Sequence, residues 1–124
     1  MVKEIIAILR GVTPHEVVGI AEELILSGIT KIEVPLNSPS AYESIEILAN
    51  RFPSEAVIGA GTVLAKNEVS HVWNSGGKMI VSPNVNVDVI RETKKLNMRS
   101  YPGVFTATEC FEAVQNGSDG LKLF

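Results

Sequence analysis

Ile5-Ile6-Ala7-Ile8-Leu9-Arg10-Gly11-Val12-Thr13-Pro14-His15-Glu16 runs five apolar residues into a short turn and then into a helix start. The apolar run is brief, rich in β-branched residues and bounded by Arg10-Gly11, as a strand buried on both faces is. Thr13 to Glu16 has the form of a capping box, with proline at the first helical position, where a missing N–H is harmless. Behind it Val17, Ile20, Ala21, Leu24 and Ile25 recur at helical spacing, and Gly28 stops the helix. Strand, loop and amphipathic helix make one βα unit.

The rest of the chain repeats that unit. Further strands are predicted at 31–34, 56–60, 79–82, 99–101 and 121–124, with the first at 5–9. Ser38-Pro39 opens a second helix with Ala41, Ile45, Leu48 and Phe52 on one face. Val69, Val72 and Trp73 give the stripe of a third, and Val89, Ile90 and Leu96 that of a fourth. Thr106-Ala107-Thr108-Glu109 caps a fifth, predicted to bury Ala107, Cys110, Phe111 and Val114. Strands that alternate with helices imply an α/β fold around a parallel sheet. A repeat of about 20 to 26 residues suits a (β/α) barrel of the TIM type. A doubly wound sheet is the competitor, but no Gly-x-Gly-x-x-Gly follows the first strand.

Composition removes several function classes. The chain has 124 residues, 45% hydrophobic and 20% charged, with a net charge of -3. Its 11 Lys and Arg are scattered, so no basic stripe offers itself to nucleic acid or to an anionic membrane. The five apolar residues before Arg10 are too few for a signal-peptide core or a membrane span. Cys110 is the only cysteine, and His15 and His71 lack ligand spacing, so no metal or other cofactor is expected. A reducing cytoplasm is the expected home.

Strand side chains alternate between faces, and the polar residues share one parity. Ile6, Ile8 and Arg10 lie on one face of strand one, Lys31, Glu33 and Pro35 on one face of strand two, and Gly120, Lys122 and Phe124 on one face of strand six. Strand three is read with Ile58, Ala60 and Thr62 inward. Arg10, Glu33, Thr62 and Lys122 then converge inside the sheet near the C-terminal strand ends, where barrel active sites are built. Interior ion pairs, Arg10 with Glu33 or Glu33 with Lys122, are the competing reading, although such pairs stabilise weakly.

The residue types point to one chemistry. An ammonium buried in an apolar strand without a partner is costly, and the usual relief is loss of its proton, which leaves a nucleophile. A lysine amine forms an imine with a ketone, and that imine is an electron sink for breaking a neighbouring carbon–carbon bond. A carboxylate can shuttle the protons, an arginine can seat a carboxylate and a threonine hydroxyl can add a hydrogen bond. Together these describe a class I aldolase acting on a 2-keto acid.

Ile8-Leu9-Arg10-Gly11, Ile32-Glu33-Val34-Pro35-Leu36-Asn37-Ser38-Pro39, Gly59-Ala60-Gly61-Thr62-Val63-Leu64, Val81-Ser82-Pro83-Asn84 and Leu121-Lys122-Leu123-Phe124 resemble the 2-keto-3-deoxy-6-phosphogluconate and 2-keto-3-deoxy-6-phosphogalactonate aldolases, in register over the whole chain. The resemblance implies that Lys122 forms the Schiff base and that Glu33 donates and accepts protons. It implies that Arg10 orients the substrate and that Thr62 and Pro83 line the pyruvate pocket. The implied reaction cleaves a phosphorylated 2-keto acid to pyruvate and glyceraldehyde 3-phosphate, in a homo-oligomer that is a trimer by the resemblance. The gluconate branch carries arginine where this chain has Asn37, which favours the galactonate branch.

A barrel of this type has eight strands and usually more than about 200 residues. Residues 1–124 are therefore read as a single (β/α)-barrel domain with about six of the eight strands, truncated at its C-terminus and without its phosphate loops. Alone, such a chain is expected to self-associate or fold poorly, because two strand edges stay open. Two other functions stay open at this point: a non-catalytic βα module that binds small acids, and a sugar-phosphate isomerase or epimerase, which would not need Lys122.

Overall fold

In a computed structural model, which describes residues 4–124, the elements run β1 (Ile6–Ile8), α1 (Val17–Leu26), β2 (Lys31–Pro35), α2 (Ala41–Arg51), β3 (Val57–Gly61), α3 (Lys66–Asn74), β4 (Met79–Val81), α4 (Val87–Lys95), β5 (Arg99–Tyr101), β6 (Gly103–Val104), α5 (Ala107–Gln115) and β7 (Lys122–Leu123). β1 to β5 pair in chain order as one parallel sheet, and β6 pairs with β7, also parallel. The α/β reading from sequence is correct, with one refinement. The strand expected at 99–101 forms as β5, and a further short strand, β6, follows it across Pro102. Proline has no N–H to give a ladder. β5 faces β4, while β6 takes up β7, and the Pro102 carbonyl accepts the Lys122 N–H at 2.9 Å.

The main core lies between the sheet and its helices. Ile32, Val34, Ile58, Ala60 and Ile80 pack there with Val17, Ala21, Ile45, Leu48, Val69, Val72 and Val89. Each large aliphatic side chain removed from water in this layer contributes about 1.5–3 kcal/mol. This layer corrects the parity of β3. In parallel pairing Ile32 stands opposite Ile58, Glu33 opposite Gly59 and Val34 opposite Ala60. Ile58 and Ala60 therefore turn to the helices, and the inward positions of β3 are Val57, Gly59 and Gly61. Thr62 follows the strand with φ +55, so it does not continue the alternation.

Several helix faces also differ from expectation. Ile20 and Trp73 are exposed, and α5 buries Ala113 against Ile90 and Val104, leaving Phe111 and Val114 in the open. A periodic stripe marks which residues share a face, but the neighbour decides how much of that face is covered. Cys110 is half-buried beside the same cluster. The α5 capping box forms as expected, with Thr106 Oγ1 and Glu109 bonded reciprocally. At α1 only half of one forms: the Thr13 N–H donates to Glu16 Oε2 at 3.0 Å, and the helix starts later, at Val17. Neither Ser38 nor Ser40 caps α2, and Ser40 takes a left-handed φ of +47. Among the described residues no helix is long and apolar enough to cross a membrane.

Candidate active site

β2 carries the central residue. Lys31, Glu33 and Pro35 face inward, and all five residues of the strand are buried. At its N-terminal end Lys31 pairs with Glu4, far from the mouth. Toward its C-terminal end Glu33 opens onto a cavity of about 180 Å³ lined by Ile6, Ile8, Glu33, Val81, Tyr101, Leu121 and Lys122. The lining is apolar apart from Glu33, Lys122 and the Tyr101 hydroxyl. A keto acid placed there would meet one amine and one carboxyl.

Glu33 is 1% exposed, and its Oε2 has no hydrogen-bond partner among the described residues. Burial pushes its carboxyl up from 4.5 to about 7, against the opposing pull of the Lys122 and Arg10 charges. A carboxyl poised near neutrality can both give and take a proton. The ion-pair reading is not what the structure holds: among the described residues no cation lies within 4.0 Å of Glu33 in a salt bridge. Such an orphaned, protonatable group is costly to keep in a fold, and perturbed carboxyls of this kind cluster at functional sites.

Lys122 reaches the cavity from β7, opposite Gly103. It is half-buried rather than enclosed, and Nζ lies 5.2 Å from the centroid of the Phe124 ring. The expectation of a buried strand at 121–124 fails here, because β7 pairs on one side only among the described residues. Leu123 is 76% exposed and belongs to neither core cluster of the described residues. Arg10 lies just beyond β1, exposed at the mouth, with its charge acting on Glu33. Pro83 is exposed after β4, its carbonyl packed against Gly103, the residue in register with Lys122. Neither Pro83 nor Thr62 is among the residues that line the cavity. The structure thus brings Glu33 and Lys122 together, puts Arg10 within electrostatic reach, and leaves Thr62 and Pro83 at the periphery.

Four contributors were not identified from sequence. Val81, Tyr101 and Leu121 supply part of the cavity wall, Leu121 despite its parity opposite to Lys122. Gly61 supplies room: a Cβ there would overlap the Glu33 carboxylate, and one at Gly59 would overlap the Met79 backbone. The available signal was the alternation Gly59-Ala60-Gly61, two glycines on one face of a strand, which marks a close approach on that face.

Residues 1–124 match the family model described as the KDPG and KHG aldolase. A probable 2-dehydro-3-deoxy-6-phosphogalactonate aldolase of Rhizobium meliloti (strain 1021) is 46% identical over 124 residues, covering 100% of this chain and 58% of that protein. A native KDPGal structure superposes with a TM-score of 0.94 at 41% identity, over 96% of this chain and 58% of that one. A KDPG aldolase from Legionella pneumophila, with pyruvate captured as a covalent carbinolamine intermediate, superposes with a TM-score of 0.88 at 29% identity, over 98% of this chain and 58% of that one. The chain therefore spans a little over half the length of these relatives. By its motifs, its parallel βα architecture and a family match that runs over residues 1–124, the chain belongs to the KDPG and KHG aldolase family.

Proposed function

We propose that this chain carries the catalytic residues of a class I aldolase that cleaves a 2-keto-3-deoxy-6-phospho sugar acid to pyruvate and glyceraldehyde 3-phosphate. The observation that carries the reading is the buried, unpartnered Glu33 carboxyl sharing one apolar cavity with Lys122. The Lys122 amine attacks the C2 ketone, and Glu33 protonates the carbinolamine oxygen so that water leaves and an imine forms. Glu33 then takes the proton of the C4 hydroxyl. The C3–C4 bond breaks with its electrons moving into the imine, the aldehyde departs, and an enamine remains. Protonation at C3 and hydrolysis release pyruvate and restore the amine. Arg10 at the mouth orients the anionic substrate, and the walls around the pyruvate end are Ile6, Ile8, Val81 and Tyr101 rather than Thr62 and Pro83.

The galactonate epimer is the preferred substrate in this reading, supported by Asn37 and by the 46% identity to a relative of that description. The protein works as a homo-oligomer in the cytoplasm, without a metal or other cofactor. An isomerase or epimerase would leave Lys122 idle, and a module that merely binds acids has no use for a carboxyl poised near neutrality. Reduction with borohydride in the presence of pyruvate tests the proposal on the intact protein. The reduced pyruvyl adduct is expected on Lys122 by peptide mapping. Its appearance on another residue, or on none, rejects the imine and with it the assigned activity.

A further inference from the structure

Ser38 reads in the sequence as the start of a helix, yet its hydroxyl does something else. It is 7% exposed, and its Oγ accepts the N–H of Gly11 at 3.0 Å across 27 residues of chain. Gly11 has φ +82, a left-handed conformation suited to glycine, and it follows Arg10 directly. Ser38 itself is fastened to the end of β2, since its N–H donates to the Pro35 carbonyl at 2.9 Å. The next bond along, Leu36 N–H to the Gly61 carbonyl at 2.9 Å, ties that same end to β3. One hydroxyl therefore connects the turn after β1, which bears Arg10, to the strand that bears Glu33. The second helix starts without a side-chain cap and with a left-handed Ser40, so no local helix role accounts for Ser38.

We propose that Ser38 is a positioning residue, whose hydroxyl holds the Arg10–Gly11 turn against the end of β2 and thereby sets where the Arg10 guanidinium stands over the cavity. This rests on the aldolase reading above. A lost hydrogen bond of this kind frees the turn without emptying the site. The effect should fall on substrate orientation and leave the bond-breaking step alone.

The test is a cycle of variants in the intact protein, assayed for cleavage of the phosphorylated 2-keto acid. Ser38→Ala is expected to lower kcat/KM roughly 3- to 10-fold, the scale of one hydrogen bond, with the change mostly in KM. Ser38→Thr, which keeps the hydroxyl, should restore it. In an Arg10→Ala background Ser38→Ala should add little, because a residue that acts through another has nothing left to act on. An equal loss with and without Arg10, a loss confined to kcat, a Ser38→Ala protein that fails to fold, or no effect at all each overturns the proposal. Borohydride trapping of pyruvate on wild-type Lys122 separates the two ideas. Trapping with an unaltered Ser38→Ala counts against Ser38 alone, whereas no trapping counts against the aldolase reading itself.

Discussion

Replacing Glu33 by glutamine in the intact protein is expected to lower aldol turnover roughly 10²- to 10⁴-fold and, at alkaline pH, to make the fold more stable. The two effects share one cause. Burial raises the carboxyl from 4.5 to about 7, so between those values the folded chain holds a proton that the unfolded chain has released. A raised carboxyl therefore contributes stability at low pH that is lost as pH climbs through this window. Above it the folded protein carries a buried, ionised and unpartnered group at a cost on the order of 3 kcal/mol. Glutamine is neutral at every pH and nearly the same shape, so it avoids that cost and also forfeits the proton. Denaturation of both proteins below pH 4.5 and above pH 7 checks the sign: the variant should gain only in the second range. A glutamine variant that is less stable above neutrality, or that turns over at the normal rate, would return Glu33 to the role of an ion-pair partner.

Gly61→Ala is expected to be nearly as damaging to turnover, about 10²-fold, with a stability loss of about 1–3 kcal/mol. Nothing in the backbone forbids alanine, since Gly61 sits in β3 without a positive φ. The obstacle is occupancy. The added methyl would overlap the Glu33 carboxylate, whose free space lies in the cavity on the substrate side. Either the carboxylate moves away from the reacting carbon or β3 moves away from β2. Chemical denaturation of Gly61→Ala, of Glu33→Ala and of the pair measures this directly. If overlap is the cause, the methyl that harms the wild type is harmless once the side chain at 33 is short. Strictly additive losses would place the damage elsewhere.

Much of this architecture was legible because a parallel strand repeats with a period of two. Ile32 and Val34 against Glu33, and Ile6 and Ile8 before Arg10, reveal both a greasy face and a working face, and Ile6, Ile8 and Glu33 line the cavity as their parity implies, whereas at the last strand both Leu121 and Lys122 reach it. β3 misled for a physical reason. Its inward positions include two glycines, which have no side chain to declare a face, so Ile58 and Ala60 were assigned to the wrong side. The register with β2 decides it, and register is a property of two strands. α5 misled in a similar way, since Phe111 and Val114 lie on an apolar stripe that no described neighbour covers. The Ser38 to Gly11 bond spans 27 residues and leaves no periodic trace in either partner.

β2 has one further consequence, concerning how errors are caught. Its residues alternate Lys31, Ile32, Glu33, Val34, Pro35, with charge turned to the interior of the barrel and hydrocarbon to the helices. A slip of one residue against β1 or β3 would exchange those faces, pressing Lys31 and Glu33 beneath the helices and emptying Ile32 and Val34 into the cavity. Two unpaired charges under α1 and α2 would make such a molecule far less stable than the correct one. The strand thus inspects its own alignment: a copy whose acid is misplaced is also a copy less able to stay folded, so that a misaligned Glu33 and a lost fold go together.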